Sequence, residues 1–174
     1  MNLSDILLEF LTELNMPKPE DAYQFDDIQV KDMGYGNYYK YIYTNSIGQE
    51  MEITNMVSKN PRDPERSIYI AFAKHDPKEP DEEEYDSDEE QEKKYAEKTG
   101  AGDMIKVLAT VVEATKRTIK SEGGEDNIYS ILYSPADKKR ANIYLHYIET
   151  LFPDFKKLDK KEGMFTQFVN KKFL

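Results

Sequence analysis

The feature that most constrains this chain of 174 residues is a short segment that cannot be buried. Residues 76–92 contain eleven Asp or Glu side chains and a single Lys. The formal net charge of the whole chain is −10, so the other 157 residues are electrically balanced. Because like charges repel and Tyr85 is the only large apolar side chain in this segment, we predict a solvated, flexible loop over residues 75–98.

The composition also limits the class of function. A balanced domain with one acidic loop lacks the basic surface that follows phosphates, so direct nucleic-acid binding is not expected. The chain has no Cys, which excludes a disulfide framework and a thiolate zinc site. No apolar run approaches the ~20 residues of a membrane span, and no signal-peptide pattern is present. We expect a protein that is neither secreted nor bound to a membrane.

Runs of aromatic and β-branched residues predict strands before the acidic loop. Tyr38–Thr44 is rich in tyrosine, and Glu50–Val57 and Ser67–Lys74 follow after turns that contain Gly or Pro. These three strands predict an antiparallel meander, preceded by a weaker strand around Phe25–Lys31. The tyrosines are typical of a core and a sheet surface; base stacking, the alternative, would need basic neighbours.

The second half alternates helices with strands. A long helix after Asp103 is predicted by apolar residues that recur every three or four positions, and Gly123-Gly124 closes it. A buried strand, a second helix and a final strand follow, at Asn127–Ser134, Ala136–Leu151 and Phe165–Val169. The predicted fold is one α+β domain over residues 23–174, with a mixed central sheet built as an antiparallel meander followed by α-β-α-β.

This order of elements resembles the GCN5-related N-acetyltransferase (GNAT) fold over about residues 23–170. In that family a Gly-rich turn at a helix N-terminus holds the pyrophosphate of acyl-CoA. The matching segment here is Thr99-Gly100-Ala101-Gly102-Asp103, although Glu97 stands where the family has Gln or Arg.

The resemblance implies a three-layer fold and a set of site residues. It assigns Tyr144 as the general acid that protonates the departing CoA thiolate. It implies no metal site. No cofactor is certain, and acetyl-CoA is implied if the chain is an active enzyme. The implied cofactor-binding residues are Phe72, Ala73, Thr99, Gly100, Ala101, Gly102 and Asp103.

Residues 1–16 predict an N-terminal amphipathic helix, which Pro17 and Pro19 end. The helix either packs its apolar stripe on the domain or is a removable targeting peptide. Leu7-Leu8-Glu9 and Leu11-Thr12-Glu13 resemble the aliphatic-x-Glu sites at which the head proteases of large tailed phages cut. The tyrosine-rich sheet, the turn at Thr99–Asp103 and the segment Ser134–Tyr144 also resemble small uncharacterised proteins of those phages.

Three functions remain open at this point. The leading hypothesis is a phage-encoded, GNAT-like accessory or virion-associated binding protein without catalysis, found in the host cytoplasm or in the virion. Its partner would be a phage structural or host protein with a basic surface. The alternatives are an acyl-CoA-dependent N-acetyltransferase that modifies a cationic amine, and an inhibitor that mimics nucleic-acid charge through the acidic loop. His75 and His146 are far apart in sequence and predict no metal site.

Overall fold

The structure is a computed structural model that describes residues 19–26, 29–59, 66–75, 104–133, 141–158 and 166–174. For residues 29, 73, 74, 104 and 141–144, only the backbone is described. The predicted N-terminal helix, the acidic segment from residue 76 onward and the Gly-rich turn at residues 99–103 lie outside the described residues.

The described residues form an α+β fold with one mixed sheet of seven strands and two α-helices. This confirms the predicted fold class. The elements in chain order are β1 (Gln29–Asp32), β2 (Gly36–Thr44), β3 (Glu50–Ser58), β4 (Arg66–Lys74), α1 (Met104–Ser121), β5 (Ile128–Tyr133), α2 (Ala141–Leu151), β6 (Phe155–Lys157) and β7 (Thr166–Asn170). Neither of these two helices is long and apolar enough to cross a membrane.

The strand order in the sheet is β1-β2-β3-β4-β5-β7-β6. Strands β1 to β4 form the predicted antiparallel meander, and β4 then pairs with β5 in parallel. Strand β7 lies between β5 and β6 and is antiparallel to both. The sequence pattern missed β6 because this strand has only three residues, too few to show a periodicity of two.

Alternation of buried side chains explains why β2 and β3 pair in this register. Tyr39, Tyr41 and Tyr43 are buried on one side of β2, opposite Met51, Ile53 and Asn55 of β3. Gly36 begins β2 at a close approach, because a Cβ there would lie 2.5 Å from the carbonyl oxygen of Val57. Only glycine fits at that position without a shift of the backbone.

Both helices lie on one side of the sheet. The connections β4-α1-β5 and β5-α2-β6 lead in the same direction along the sheet, and such connections are right-handed. Consistent with this, α1 and α2 contact each other. We call this side the helix face. Its buried residues belong to one hydrophobic core and include Tyr41, Ile53, Ile68, Ile131 and Phe168.

Two glycines end α1 as the sequence predicts. Gly123 and Gly124 have φ values of +93° and +102°, which L side chains rarely adopt. The Gly124 N–H donates to the Ile119 carbonyl oxygen at 2.9 Å and so satisfies one of the last carbonyls of the helix.

Candidate functional site

The parallel pair β4–β5 has two ends that differ in chemistry. The last paired residues are Ile70 of β4 and Tyr133 of β5, while β4 continues alongside β3 as far as Lys74. In sheets with helical crossovers, ligands bind outside the carboxyl ends of parallel strands. We therefore define the carboxyl end as residues 70–75, Tyr133 and the first two turns of α2.

Phe72 and Ala73, two of the predicted cofactor-binding residues, lie in β4 beyond the last residue paired with β5. The His75 N–H donates to Glu50 of β3 at 2.9 Å. Because main-chain groups alternate along a strand, those of Phe72 point away from β3, toward the side of β5. The ring of Phe72 packs on the core of the helix face. The other predicted residues of this group, Thr99 to Asp103, lie outside the described residues.

Tyr144 and Tyr147 occupy successive turns of α2. Tyr144 lies in the first turn, and its side chain is outside the described part of the chain. Tyr147, three residues further along the same side of the helix, is only 2% exposed. Its hydroxyl makes no hydrogen bond with any described residue, and burial raises the pKa of this phenol. A buried polar atom without a partner is rare enough to require an explanation such as a ligand or a water molecule.

A charged cluster follows β4 on the sheet side opposite the helices. His75 Nδ1 lies 2.9 Å from Glu52 Oε2, and Lys40 Nζ lies 3.9 Å from the same oxygen. Lys40 is 8% exposed, which is unusual for a lysine and requires compensating partners. The Glu52 carboxylate therefore orients the His75 ring through Nδ1.

The opposite, amino end of the β4–β5 pair is held by a buried carboxylate that the sequence patterns did not reveal. Glu122 follows the last residue of α1, and its side chain is 3% exposed. Its Oε1 accepts hydrogen bonds from Asn37 Nδ2 at 2.7 Å and from the Tyr39 hydroxyl, while Arg66 Nη1 lies 2.7 Å from its Oε2. Burial and then the Glu122 carboxylate raise the pKa of Tyr39.

One feature of the sequence, unused above, is a signal for Glu122. A carboxylate at the C-terminal end of a helix opposes the helix dipole, so such a residue needs a specific partner elsewhere. The partners come from β2 and β4, which are distant in sequence, and no local pattern identifies them.

Between the two ends, α1 contacts the sheet through hydroxyl groups. Thr118 Oγ1 lies 2.7 Å from the Tyr41 hydroxyl and accepts from Asn55 Nδ2 at 2.9 Å, while it donates to the Ala114 carbonyl oxygen at 3.1 Å. Asn55 is fully buried, and its Oδ1 has no hydrogen-bond partner among the described residues. The Thr115 hydroxyl likewise donates to the Val111 carbonyl oxygen at 2.8 Å.

These arrangements differ in what they can do. The Glu122 cluster satisfies its own polar groups, whereas the carboxyl end holds an unsatisfied phenol and a Glu–His pair. Within the described ranges, no group of three or more His, Asp or Glu residues could hold a metal ion. The chain matches no protein-family model, no curated protein and no solved structure.

Proposed function

We propose that the protein is a phage-encoded, GNAT-like accessory binding protein that works without catalysis and binds its ligand at the carboxyl end of the β4–β5 pair. The order of described elements supports the GNAT likeness: an antiparallel meander, then a helix, a strand, a helix and the last two strands. The proposed origin and the proposed place in the virion rest on the N-terminal sequence.

The Tyr147 hydroxyl is the observation that carries the proposed binding site. It is buried in the second turn of α2 and has no hydrogen-bond partner among the described residues. Burying an unsatisfied hydroxyl costs roughly 1–3 kcal/mol. A ligand oxygen or nitrogen at this end of the sheet would remove that cost.

Two features of the sequence support binding without catalysis. Glu97 places a carboxylate where the GNAT likeness calls for Gln or Arg, and residues 76–92 add ten net negative charges to the same β4–α1 connection. These charges would weaken the binding of an anionic acyl-CoA, most of all at low salt, because salt screens such repulsion over ~8 Å. The same charges would attract a partner protein with a basic surface.

Isothermal titration calorimetry with acetyl-CoA tests whether the carboxyl end binds a ligand of the GNAT type. We expect binding by the full chain at a salt concentration that screens the acidic loop, and an affinity about tenfold lower in Tyr147→Phe, since the lost hydrogen bond contributes up to ~1.4 kcal/mol. Gly100→Glu should weaken binding further by placing a carboxylate in the predicted phosphate turn.

Tyr129→Phe is the matched control, because Tyr129 lies in β5 at the opposite end and packs edge-on against Phe173. Its affinity should equal that of the unchanged chain. If millimolar acetyl-CoA gives neither heat nor a thermal shift, the GNAT-type site is wrong. Absence of the protein from purified virions would reject virion association.

The second candidate is an acyl-CoA-dependent N-acetyltransferase, which the His75–Glu52 pair favours. In that reaction His75 Nε2 would accept one proton of a cationic amine, and the free amine would attack the thioester carbonyl. Collapse of the tetrahedral adduct would break the carbon–sulfur bond, Tyr144 would protonate the CoA thiolate that leaves, and the second amine proton would return to the Tyr144 phenolate. Because the chain has no Cys, a thiol reagent would report only the released CoA. Release that depends on a polyamine and is lost in His75→Gln would favour this enzyme over the binding protein.

The third function, mimicry of nucleic-acid charge, depends on residues 76–92, which lie outside the described residues. It stays a prediction. Deleting these residues without loss of an inhibitory effect would reject it.

A further inference from the structure

The outer side of β1 is an exposed edge of the sheet. Strand β1 stands first in the strand order and pairs with β2, and within the described ranges no strand pairs with its other side. Val30 of β1 is 55% exposed, and Tyr35, in the turn between β1 and β2, is 61% exposed. An exposed edge strand can pair with a strand of another chain, so we asked which partner this edge fits.

The hydrogen bonds between β1 and β2 show which main-chain groups of β1 face outward. The Met33 N–H donates to the Gly36 carbonyl oxygen at 2.9 Å and therefore faces β2. Main-chain groups alternate along an antiparallel strand, so those of Lys31 also face β2. Those of Val30 and Asp32 face the outer side. The edge therefore presents two residues whose N–H and C=O groups point toward a further strand.

Local contacts hold the edge and its turn in one shape. Asp32 Oδ1 accepts a hydrogen bond from the Gly34 N–H at 2.8 Å, and Lys59 Nζ lies 3.2 Å from Asp32 Oδ2. The Lys59 N–H also donates to the Tyr35 carbonyl oxygen at 2.7 Å. Because the edge is already ordered in the single chain, pairing with another strand would cost little additional conformational entropy.

The charges along the edge favour a second copy of this chain. Lys31 and Lys59 accompany Asp32, so the edge is not acidic and does not suit the basic partner proposed above. The two outward-facing residues allow three symmetric antiparallel registers between two copies. Two of these place Lys31 opposite Lys31 or Asp32 opposite Asp32, and like charges directly opposite are destabilising. The third register avoids both repulsions, because it places Val30 opposite Val30 and Lys31 opposite Gln29.

We propose that two copies of this chain join edge to edge through antiparallel pairing of β1, with Val30 opposite Val30 on the two-fold axis. The same patch then serves both copies, as a two-fold interface requires. Val30 lies opposite the buried Tyr39 of β2 and so points to the helix face. The two Val30 side chains would contact each other there, and the two seven-stranded sheets would become continuous. This interface lies outside the carboxyl end and goes beyond the proposed function.

Disulfide cross-linking of the full-length chain tests the register, because the chain has no Cys of its own. In the proposed register, Gln29 of one copy and Lys31 of the other form a non-hydrogen-bonded pair. The Cα atoms of such a pair lie about 4.5 Å apart, within the range that a disulfide spans. An equal mixture of Gln29→Cys and Lys31→Cys should therefore cross-link under mild oxidation, at least about fivefold faster than Lys31→Cys alone. Equal or faster cross-linking of Lys31→Cys alone would overturn the proposed pairing.

Sedimentation velocity measures the dimer itself, at protein concentrations up to about 1 mM because a small interface binds weakly. Val30→Pro should abolish the dimer, since it removes an outward N–H and costs no hydrogen bond to β2.

A matched pair of variants keeps the proposal falsifiable if Val30→Pro unfolds the domain. Val30→Asp places two carboxylates opposite each other and should weaken the dimer at least about tenfold. Ile47→Asp adds the same charge at a residue that is 54% exposed in the β2–β3 turn, and it should leave the dimer unchanged. A monomer at every concentration, or equal effects of the two Asp variants, would overturn the proposal.

Discussion

The two ends of the β4–β5 pair are built from similar polar side chains and use them differently. At the amino end, Glu122 is buried with the Asn37 amide, the Tyr39 hydroxyl and the Arg66 guanidinium bonded to its two oxygens. At the carboxyl end, the Tyr147 hydroxyl is just as buried but has no hydrogen-bond partner among the described residues. Arg66 and Ile70, the first and last residues of β4 that pair with β5, are separated by roughly 13 Å at ~3.3 Å per residue.

The difference separates stability from binding. Polar groups that satisfy one another fix the position of α1 on the sheet and leave nothing for a ligand to bind. A buried hydroxyl without a partner lowers stability, and it keeps its hydrogen-bonding capacity for another molecule. Substitutions at the amino end should therefore change the free energy of unfolding, and those at the carboxyl end should change binding.

The largest effect is expected for Glu122→Ala. Removing one member of a buried charge pair costs about 3–5 kcal/mol, because the partners lose their compensation. Arg66 is 38% exposed and can regain water, so the lower part of that range applies. Urea unfolding measures the loss. Glu113→Ala is the matched control on α1, since Glu113 makes only a partly exposed pair with Lys116 at 4.0 Å and should change stability by less than ~1 kcal/mol. Equal effects of the two variants would contradict the comparison.

Tyr39→Phe tests the same cluster through its pH dependence. The lost hydrogen bond to a carboxylate should cost ~1.5–3 kcal/mol at neutral pH. The pKa of Tyr39 is raised in the folded protein, first by burial and then by Glu122. The unfolded phenol ionises near pH ~10, so this contribution to stability is present below that pH and is lost as the pH rises above it.

Denaturant unfolding at pH values from ~8 to ~11, a range that includes the ordinary phenol pKa of about 10, measures this effect. The unchanged chain should lose stability more steeply above pH ~10 than Tyr39→Phe does. Identical slopes in the two proteins would show that Tyr39 does not titrate differently on folding.

Much of the fold was predictable because its strands carry local signals. The tyrosine-rich run of β2 and the alternation in β3 and β4 predict both ends of each of these strands to within two residues. Gly123 and Gly124 marked the end of α1 because positive φ values favour glycine. Strand β6 was not predicted, because its three residues form a strand only through pairing with β7.

The polar contacts were much less predictable, for a physical reason. Thr115 and Thr118 fall at helical spacing and resemble ordinary stripe residues, yet they meet Asn55 of a strand about sixty residues away. Tyr147 follows Tyr144 at helical spacing, and the periodic pattern does not indicate that the phenol of Tyr147 is buried. Partnership between distant side chains depends on tertiary packing, which periodicity does not encode.

A moderate effect is expected for Thr118→Val. This change keeps the side-chain volume but leaves the Tyr41 hydroxyl and one Asn55 amide hydrogen bond without their partner, at a cost of about 1–3 kcal/mol. Thr150→Val is the matched control, because Thr150 also donates to the carbonyl four residues earlier, at 2.8 Å, but is exposed on α2. Its stability should change by less than ~0.5 kcal/mol. Thermal and urea unfolding of both variants measure these changes in stability. A larger loss of stability in Thr150→Val than in Thr118→Val would contradict the comparison.

The smallest effect on stability is expected for Tyr147→Phe, and the comparison depends most on it. Phenylalanine keeps the ring in the core and removes only the hydroxyl, which has no hydrogen-bond partner to lose among the described residues. Removing an unsatisfied buried group is neutral or stabilising, so the free energy of unfolding should rise by between 0 and ~1 kcal/mol. A loss of more than ~1 kcal/mol would show that the hydroxyl has a structural partner, and the carboxyl end would then resemble the amino end. Neutral stability combined with weaker acetyl-CoA binding would instead show that this hydroxyl is kept for a ligand.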